Sequence, residues 1–173
     1  MRGKAKIVLM LLFGAAVCAG AQSPIKGQGP AGETQAHEYW VDTYGLMWAG
    51  QDNGKDVNWH EATKYCHNLR LAGYSDWRLA TIVELTGIYD QGAESAGETS
   101  PTRGHEAEAM KFHVNGNLFL TGNEWSSTRV NDDRGKPSGY AWYFTFTGGT
   151  FDKDDETWTS ILKRALCVRK SGD

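Results

Sequence analysis

Two widely separated cysteines, Cys66 and Cys167, constrain the fold of this chain more than any other feature. A third cysteine, Cys18, lies in residues 1–21, where three basic residues precede an apolar run that ends in small residues. This order is typical of a secretory signal peptide, cleaved here after Ala21. We therefore expect an extracytoplasmic protein, in the periplasm, at the cell surface or secreted, whose mature form keeps an even pair of cysteines.

The pair Cys66 and Cys167 is most simply a disulfide, because thiols are oxidised outside the cytoplasm. Such a bond would close a loop of about 100 residues and contribute up to about 4–5 kcal/mol in the chain-entropy model. The alternative is a reactive thiol in a cysteine-dependent enzyme. We predict the disulfide, which would tie the first helix to the last strand.

The chain beyond the signal peptide divides into a leader and one domain. Residues 22–36 are rich in Gly, Pro and small polar residues and predict a flexible leader, followed by a folded domain over residues 37–170. The whole chain has 18 basic and 21 acidic residues, and cleavage removes three basic ones, so the mature net charge is −6. This sign gives no global attraction for nucleic acid or an anionic membrane surface. We expect neither a nucleic-acid partner nor a membrane span in the mature chain.

A helix is predicted from Asn58 to Leu71. Asn58 can cap it, and Glu61, three residues later, can complete a capping box. Apolar residues recur in this segment at three- and four-residue steps, at Trp59, Ala62, Cys66 and Leu69. This period places them on one buried face, so we expect the sulfur of Cys66 to point into the core.

A second helix is predicted after Thr81, which can form another capping box with Glu84. Its apolar face would consist of Ile82, Leu85 and Ile88. The following stretch, Asp90 to His105, is rich in Gly, Ser, Glu and Thr and predicts a long surface loop.

Strands are predicted near both ends of the domain, where aromatic and β-branched residues concentrate. The segments are Tyr39 to Val41, Leu46 to Trp48, Glu124 to Thr128, Ala141 to Phe146, Thr150 to Phe151 and Ala165 to Arg169. Gly148 and Gly149 predict a two-residue hairpin turn between two of these strands, because glycine accepts a positive φ at both positions.

Several motifs resemble those of one family, in the same order along the chain. They are YGLMWAG, WHEATKYCHNLRLAGYSDWRLAT, EWSST, AWYFTF and LCVR. From about Tyr44 to Arg169 the chain resembles the Lcl C-terminal domain family, named for a bacterial collagen-like adhesin. The resemblance implies an α+β, C-type lectin-like fold with two helices, a mixed irregular antiparallel sheet and long loops. It also implies adhesion, a glycan or an extracytoplasmic protein as partner, and assembly into trimers.

Ligand contacts are expected in the loops of such a fold, between Asp90 and Asn123 and between Val130 and Gly139. The candidate ligand-binding residues are Arg103, Trp125, Arg129, Asn131, Asp132, Arg134, Lys136 and Trp158. Four of them could form a local basic patch: Arg103, Arg129, Arg134 and Lys136. The two tryptophans are the better candidates for exposure, although neither is expected to be exposed singly, whereas periodic apolar segments predict a core position for the other five, Trp40, Trp48, Trp59, Trp77 and Trp142.

The tripeptide Asp76-Trp77-Arg78 is the sharpest local constellation of polar and aromatic residues. One interpretation is a ligand site made by an Asp–Arg pair beside an aromatic ring. The other is a structural turn, in which Trp77 fills the core while Asp76 and Arg78 hydrogen-bond backbone groups. We favour the structural turn, because the segment joins two helices whose relative placement must be fixed.

Motifs for catalysis and metal binding are weak in this sequence. Two acidic stretches, Asn131 to Asp133 and Asp152 to Glu156, could offer oxygen ligands to calcium, but neither has the spacing of an EF-hand, and solvated loops are expected. We expect no cofactor, no metal and no catalytic residue. A non-catalytic recognition or adhesion module is the leading hypothesis. A cysteine-dependent oxidoreductase, related in fold to formylglycine-generating enzymes, and a purely structural envelope component are the alternatives.

Overall fold

The computed structural model describes residues 38–98, 109–159 and 161–172. Two α-helices lie in these ranges, α1 (Trp59–Asn68) and α2 (Ile82–Gly87). The strands are β1 (Tyr39–Val41), β2 (Leu46–Ala49), β3 (Arg78–Leu79), β4 (Ser95–Glu98), β5 (Ala109–Phe112), β6 (Asn123–Asn131), β7 (Pro137–Thr145), β8 (Thr150–Asp155), β9 (Lys163–Arg164) and β10 (Cys167–Lys170). Few helices beside many strands agree with the predicted α+β class.

The described strands form three sheets. One has the order β1-β2-β10-β3, so the last strand of the chain lies between strands of its first half. The second has the order β8-β7-β6-β9, and β4 pairs with β5 in a third. All pairings are antiparallel except that of β6 with β9. The sheet that contains β6 and β9 is therefore mixed, and register shifts between β6 and β7 make it irregular, as predicted.

Helix α1 begins as predicted and ends earlier. The Asn58 side chain accepts a hydrogen bond from the Glu61 N–H at 2.9 Å, and Glu61 reciprocates, which confirms the capping box. The helix stops at Asn68 instead of Leu71, because Leu69 is already extended and Leu71 pairs with Tyr74 in a tight turn.

The predicted disulfide between Cys66 and Cys167 is present and joins α1 to β10. Both cysteines are fully buried, in one cluster with Trp77 and Leu79. A second cluster contains Trp48, Leu85 and Phe144. The sulfur of Cys66 therefore faces the core, as the helical period predicted.

Trp125, a candidate for exposure and for ligand binding, is buried. Its indole Nε1 donates a 2.9 Å hydrogen bond to the carbonyl of Val57, in the connection between β2 and α1. The ring belongs to the same core cluster as Cys66 and Cys167. A buried tryptophan whose N–H has a partner is a structural residue and offers no surface for ligand stacking.

Three other local predictions are also corrected. Residues 95–98, expected in a surface loop, form β4 and pair with β5. The turn between β7 and β8 spans residues 146–149, and of its two glycines Gly149 alone has a positive φ. The acidic stretch Asp152 to Glu156, expected in a loop, forms most of β8 and ends in the buried Glu156.

Candidate functional site

An apolar groove with a volume of about 510 Å³ lies between α2 and the strands β7 and β8. Its lining residues are Ile82, Val83, Thr86, Gly87, Trp142 and Phe151. Val83 is 77% exposed and Phe151 is 56% exposed, which is far more than their size and apolar character favour. Contiguous exposed apolar surface of this kind marks contact sites for other molecules.

The groove exists because α2 is too short to cover the face of the sheet on which it packs. Phe144 on β7 lies in the core cluster that contains Leu85 of α2. Trp142 precedes Phe144 by two residues, and Phe151 pairs directly with Phe144. Because side chains alternate between the two faces of a strand, all three lie on one face of the sheet. The six residues of α2 end before Trp142 and Phe151 are covered, and the two rings contact each other edge to face at 5.5 Å.

The walls of the groove offer few free polar groups. The one hydroxyl among the lining residues belongs to Thr86, and it donates a 2.8 Å hydrogen bond to the carbonyl of Ile82 within the helix. Lys153 pairs directly with Trp142 and therefore lies on the same face, at the rim. No carboxylate within the described residues forms an ion pair with Lys153. The site is apolar, with one available positive charge at its edge.

The outer edge of β8 is closed to another strand. In the part of the chain that the structure describes, β8 pairs with β7 alone, so one of its edges lacks a neighbour. The Asp152 side chain accepts a 2.7 Å hydrogen bond from the Lys153 N–H, and the Asp154 side chain accepts one of 2.9 Å from the Asp155 N–H. Carboxylates that bind edge N–H groups prevent pairing with a further strand. The acidic stretch thus protects an edge.

The segment Asp76-Trp77-Arg78 forms a structural turn. Trp77 is buried, as the structural interpretation requires. Asp76 accepts a 2.7 Å hydrogen bond from Nε of the buried Arg169, and this bond holds the pKa of Asp76 below its usual value. Arg78 donates two hydrogen bonds, of 2.8 and 2.6 Å, to the carboxylate of Glu84. The main partners of both charged residues are side chains on β10 and α2, whereas backbone groups were expected.

The motifs that indicate the family begin just before β2, on α1, β6 and β7, and just before β10, in the order in which they occur in the sequence. The family model of the Lcl C-terminal domain matches residues 41–169, which is most of the chain. The chain belongs to the Lcl C-terminal domain family. No curated protein and no solved structure is significantly similar to it.

Four predicted ligand residues of this Lcl C-terminal domain lie together at the hairpin between β6 and β7: Asn131, Asp132, Arg134 and Lys136. The two strands extend into the segment predicted as a loop, so the turn is confined to residues 132–136. The Asp132 carboxylate accepts hydrogen bonds of 2.9 Å from the N–H groups of Arg134 and Lys136. Asp132 therefore shapes the turn, while both basic side chains remain exposed.

The remaining predicted ligand residues of the domain are not brought together. Arg129 lies on β6, where it donates hydrogen bonds of 2.6 and 2.5 Å to the Glu156 carboxylate and stacks 5.1 Å from the Trp59 ring. Its charge is thus already paired. Trp158 is 67% exposed, so it is the exposed one of the two candidate tryptophans. Arg103 lies outside the described residues.

Within the described ranges, no helix is long and apolar enough to cross a membrane. Nor do these ranges bring three or more His, Cys, Asp or Glu side chains together in a group that could hold a metal. That the acidic stretches bind no calcium therefore remains a prediction from the sequence.

Sequence reasoning missed the groove of this Lcl C-terminal domain. Val83 stands on the polar side of a short helix, and Phe151 stands at the start of an acidic strand. Each looks like an isolated surface residue in the sequence. One signal was available: Val83 lies outside the apolar period of Ile82, Leu85 and Ile88, so an exposed position could have been predicted for it.

Proposed function

We propose that this domain is an extracytoplasmic, non-catalytic recognition and adhesion module that binds another protein through the groove between α2 and β8. The observation that carries the proposal is the exposure of Val83 and Phe151 beside the half-buried Trp142. Aromatic anchors that remain partly exposed in the free protein are typical of interaction surfaces.

An apolar side chain of a partner protein fits this groove better than a sugar does. A bound glycan needs hydrogen bonds for its hydroxyl groups, and a buried polar group without a partner costs about 1–3 kcal/mol. The groove offers a single hydroxyl, on Thr86, which is already bound to the helix. The available charge of Lys153 at the rim favours a partner that places a carboxylate beside its apolar anchor.

The partner is expected to dock by its side chains. A partner strand would need the free edge of β8, but Asp152 and Asp154 occupy the N–H groups of Lys153 and Asp155. An apolar anchor in the groove needs none of these backbone groups. We therefore propose insertion of a side chain and not the addition of a strand.

The non-catalytic assignment rests on the disulfide. The enzyme alternative needs an accessible thiol, whereas Cys66 and Cys167 are bonded to each other inside the core. The link between the first helix and the last strand also supports the C-type lectin-like fold that the family resemblance implies. Trimer assembly stays a prediction of that resemblance.

Selection from a phage-displayed random peptide library tests the proposal. Mature protein should enrich peptides that carry an apolar residue next to Asp or Glu. Phe151→Ser should weaken their binding about 10- to 100-fold, because burying one phenylalanine contributes about 1.5–3 kcal/mol. Lys153→Glu should weaken the binding of the same peptides. Titration of synthetic peptides by fluorescence anisotropy gives the affinities.

Tyr44→Ser is the matched control, since Tyr44 is an exposed aromatic residue in the turn between β1 and β2 and does not line the groove. Its peptide affinities should equal those of the unmodified protein. Peptides that bind Phe151→Ser undiminished would contradict the groove. A different outcome is that the protein binds glycans on an array, that Trp158→Ser abolishes this binding, and that no selected peptide depends on the groove. This outcome would indicate a glycan ligand and not a protein partner.

A further inference from the structure

Glu124 on β6 is the most anomalous polar residue among those the structure describes. Its side chain is fully buried, and neither carboxylate oxygen makes a well-formed hydrogen bond. Buried carboxyl groups almost always have partners, because an unpaired charge in the interior is very costly. The side chain of Asp52 lies within hydrogen-bonding reach of Glu124. A second carboxylate can only accept, so a bond between the two groups requires a proton.

Asp52 accepts hydrogen bonds from three donors. Its carboxyl oxygens accept hydrogen bonds from the Thr121 N–H at 2.5 Å, from the Thr121 hydroxyl at 2.8 Å and from the Gly54 N–H at 2.7 Å. The Thr121 hydroxyl in turn accepts a 2.8 Å hydrogen bond from Nε of Arg164. Asp52 therefore has donors for an ionised carboxylate and still has room for one more, which protonated Glu124 can supply.

The charges of this cluster do not balance if every acid is ionised. Arg164 is fully buried and supplies the one positive charge. It hydrogen-bonds Asp56, whose side chain is 33% exposed, and it reaches Asp52 through Thr121. Three carboxylates around one guanidinium would leave two uncompensated negative charges, and the two acids that are fully enclosed are Asp52 and Glu124. A proton on this pair removes one of those charges.

We propose that Glu124 and Asp52 share one proton, and that this proton-bound pair is a pH-sensitive lock that fastens β6 to the connection between β2 and α1. The inference does not depend on the proposed binding function. Glu124 would be the donor and Asp52 the acceptor. Loss of the proton would place two carboxylates against each other in the interior and weaken the contact between these elements.

The electrostatics agree with the geometry. Burial, followed by the charge of Asp52 and the hydrogen bond to it, raises the pKa of Glu124 well above its usual value. Burial also raises the pKa of Asp52, although hydrogen bonds from Thr121 and Gly54 oppose this effect. Arg164, whose Nη2 has no hydrogen-bond partner, and the backbone N–H of Leu166 act on the pKa of Glu124 in the opposite direction and are the weaker influences.

The other titratable groups around the pair do not produce the same pH dependence. Tyr65 on α1 faces Asp52, and burial together with that charge raises the pKa of Tyr65, so the phenol stays neutral up to strongly alkaline pH. Arg164 stays charged. Asp56 is ion-paired at the partly exposed side of the cluster.

The sign of the pH effect follows from proton linkage. With both pKa values raised on folding, the native state binds more protons than the unfolded chain above the ordinary carboxyl range. The contribution of this pair to stability is therefore greatest in acid, below the unfolded pKa values, and falls as pH rises through the folded values. This is the reverse of the effect of an ion-paired surface carboxylate.

Thermal unfolding between pH 5 and 9 tests the lock. The Tm of the unmodified protein should fall across this range, and Glu124→Gln should lose at least half of that fall, because its amide donates to Asp52 at every pH. Glu98→Gln, the same change at an exposed carboxyl, should keep the full slope. Equal slopes for Glu124→Gln and the unmodified protein would overturn the proposal.

Infrared spectroscopy of the unmodified protein decides the question even if Glu124→Gln fails to fold. At pH 7 the C=O stretch of a protonated carboxyl should be visible, and its absence would overturn the proposal. Calcium provides the competing outcome. If calcium at neutral pH raises the Tm of the unmodified protein and abolishes the protonated carboxyl band, a metal ion and not a proton compensates Glu124.

Discussion

Gly149 shows how closely single residues are determined in this fold. It has a φ of +65°, in the left-handed region, at the end of the turn between β7 and β8. A Cβ atom there would lie 2.4 Å from Cζ of Tyr89, which packs against Phe144 of the core. Only glycine meets both requirements, the backbone conformation and the close approach of a ring.

Gly149→Ala is expected to destabilise the protein by roughly 2–5 kcal/mol. The left-handed conformation costs an alanine about 1–2 kcal/mol, and displacement of the Tyr89 ring adds about 1–3 kcal/mol. Urea unfolding followed by tryptophan fluorescence measures the loss. Gly148→Ala is the control, since its φ is not positive and the nearest atom to its Cβ is a hydroxyl 4.0 Å away. Equal losses in the two variants would contradict the argument.

At the scale of elements, Glu84 joins β3 to α2. Its carboxylate accepts a 2.8 Å hydrogen bond from the Thr81 N–H, which completes the capping box of α2. The same carboxylate accepts both hydrogen bonds from Arg78. Burial alone would raise the pKa of Glu84, but the bonds from Arg78 and Thr81 outweigh it and lower that pKa.

Glu84→Gln is expected to cost about 1 kcal/mol at neutral pH, the upper end for a partly exposed ion pair. The lowered pKa means that Glu84 stabilises the fold above its unfolded pKa, and that this contribution disappears as pH falls through the folded value. The variant should therefore differ most from the unmodified protein at neutral pH and approach it in acid. Chemical denaturation at several pH values provides the measurement.

Glu61→Gln is the matched control for Glu84→Gln. Glu61 has the same position in the capping box of α1, and no described basic side chain forms an ion pair with it. Glutamine can also complete a capping box, so the change in α1 should be close to neutral. A loss at Glu61 as large as that at Glu84 would show that the capping bond dominates and that the pair with Arg78 contributes little.

At the scale of the whole molecule, the disulfide restrains the chain more than any single contact. Cys66 and Cys167 are 101 residues apart in the sequence, so the bond encloses most of the described domain. It also joins α1 to the central part of the sheet that contains β10. A cross-link over so long a loop reduces the freedom of the unfolded chain and stabilises the native state by that difference.

Replacement of both cysteines by alanine is expected to reduce the free energy of unfolding by about 4 kcal/mol. The double variant should retain the fold in dilute buffer only if the total stability exceeds this loss, and guanidinium unfolding with and without reductant measures the difference. In the mature protein, which lacks Cys18, alkylation should occur only after reduction in denaturant. Ready labelling of the native protein would contradict the disulfide and support the enzyme alternative.

Local features of the structure were accessible from the sequence because their partners lie within a few residues of each other. Both capping boxes were predicted, since Asn58 and Glu61, and Thr81 and Glu84, are three residues apart. The inward orientation of Cys66 followed from the helical period, and its bond to Cys167 followed from the count of cysteines. The family was recognisable from short motifs in a fixed order.

The long-range features were decided only by the tertiary structure. Trp125 is buried because its strand brings it against the segment of Val57, 68 residues away in the chain. Strand β4 forms because it pairs with β5, which follows after a connection of ten residues in the chain. The residues of β4 show no apolar alternation that would predict a strand.

The sequence by itself therefore determined the helix starts, the disulfide and the family of this protein, since each depends on neighbouring residues or on simple counting. The tertiary structure alone decided that Val83, Trp142 and Phe151 line one groove and that Glu124 meets Asp52 inside the core. Both sites join segments distant in the chain, and their exposure and charge depend on what packs over them. A linear pattern carries no information about that packing.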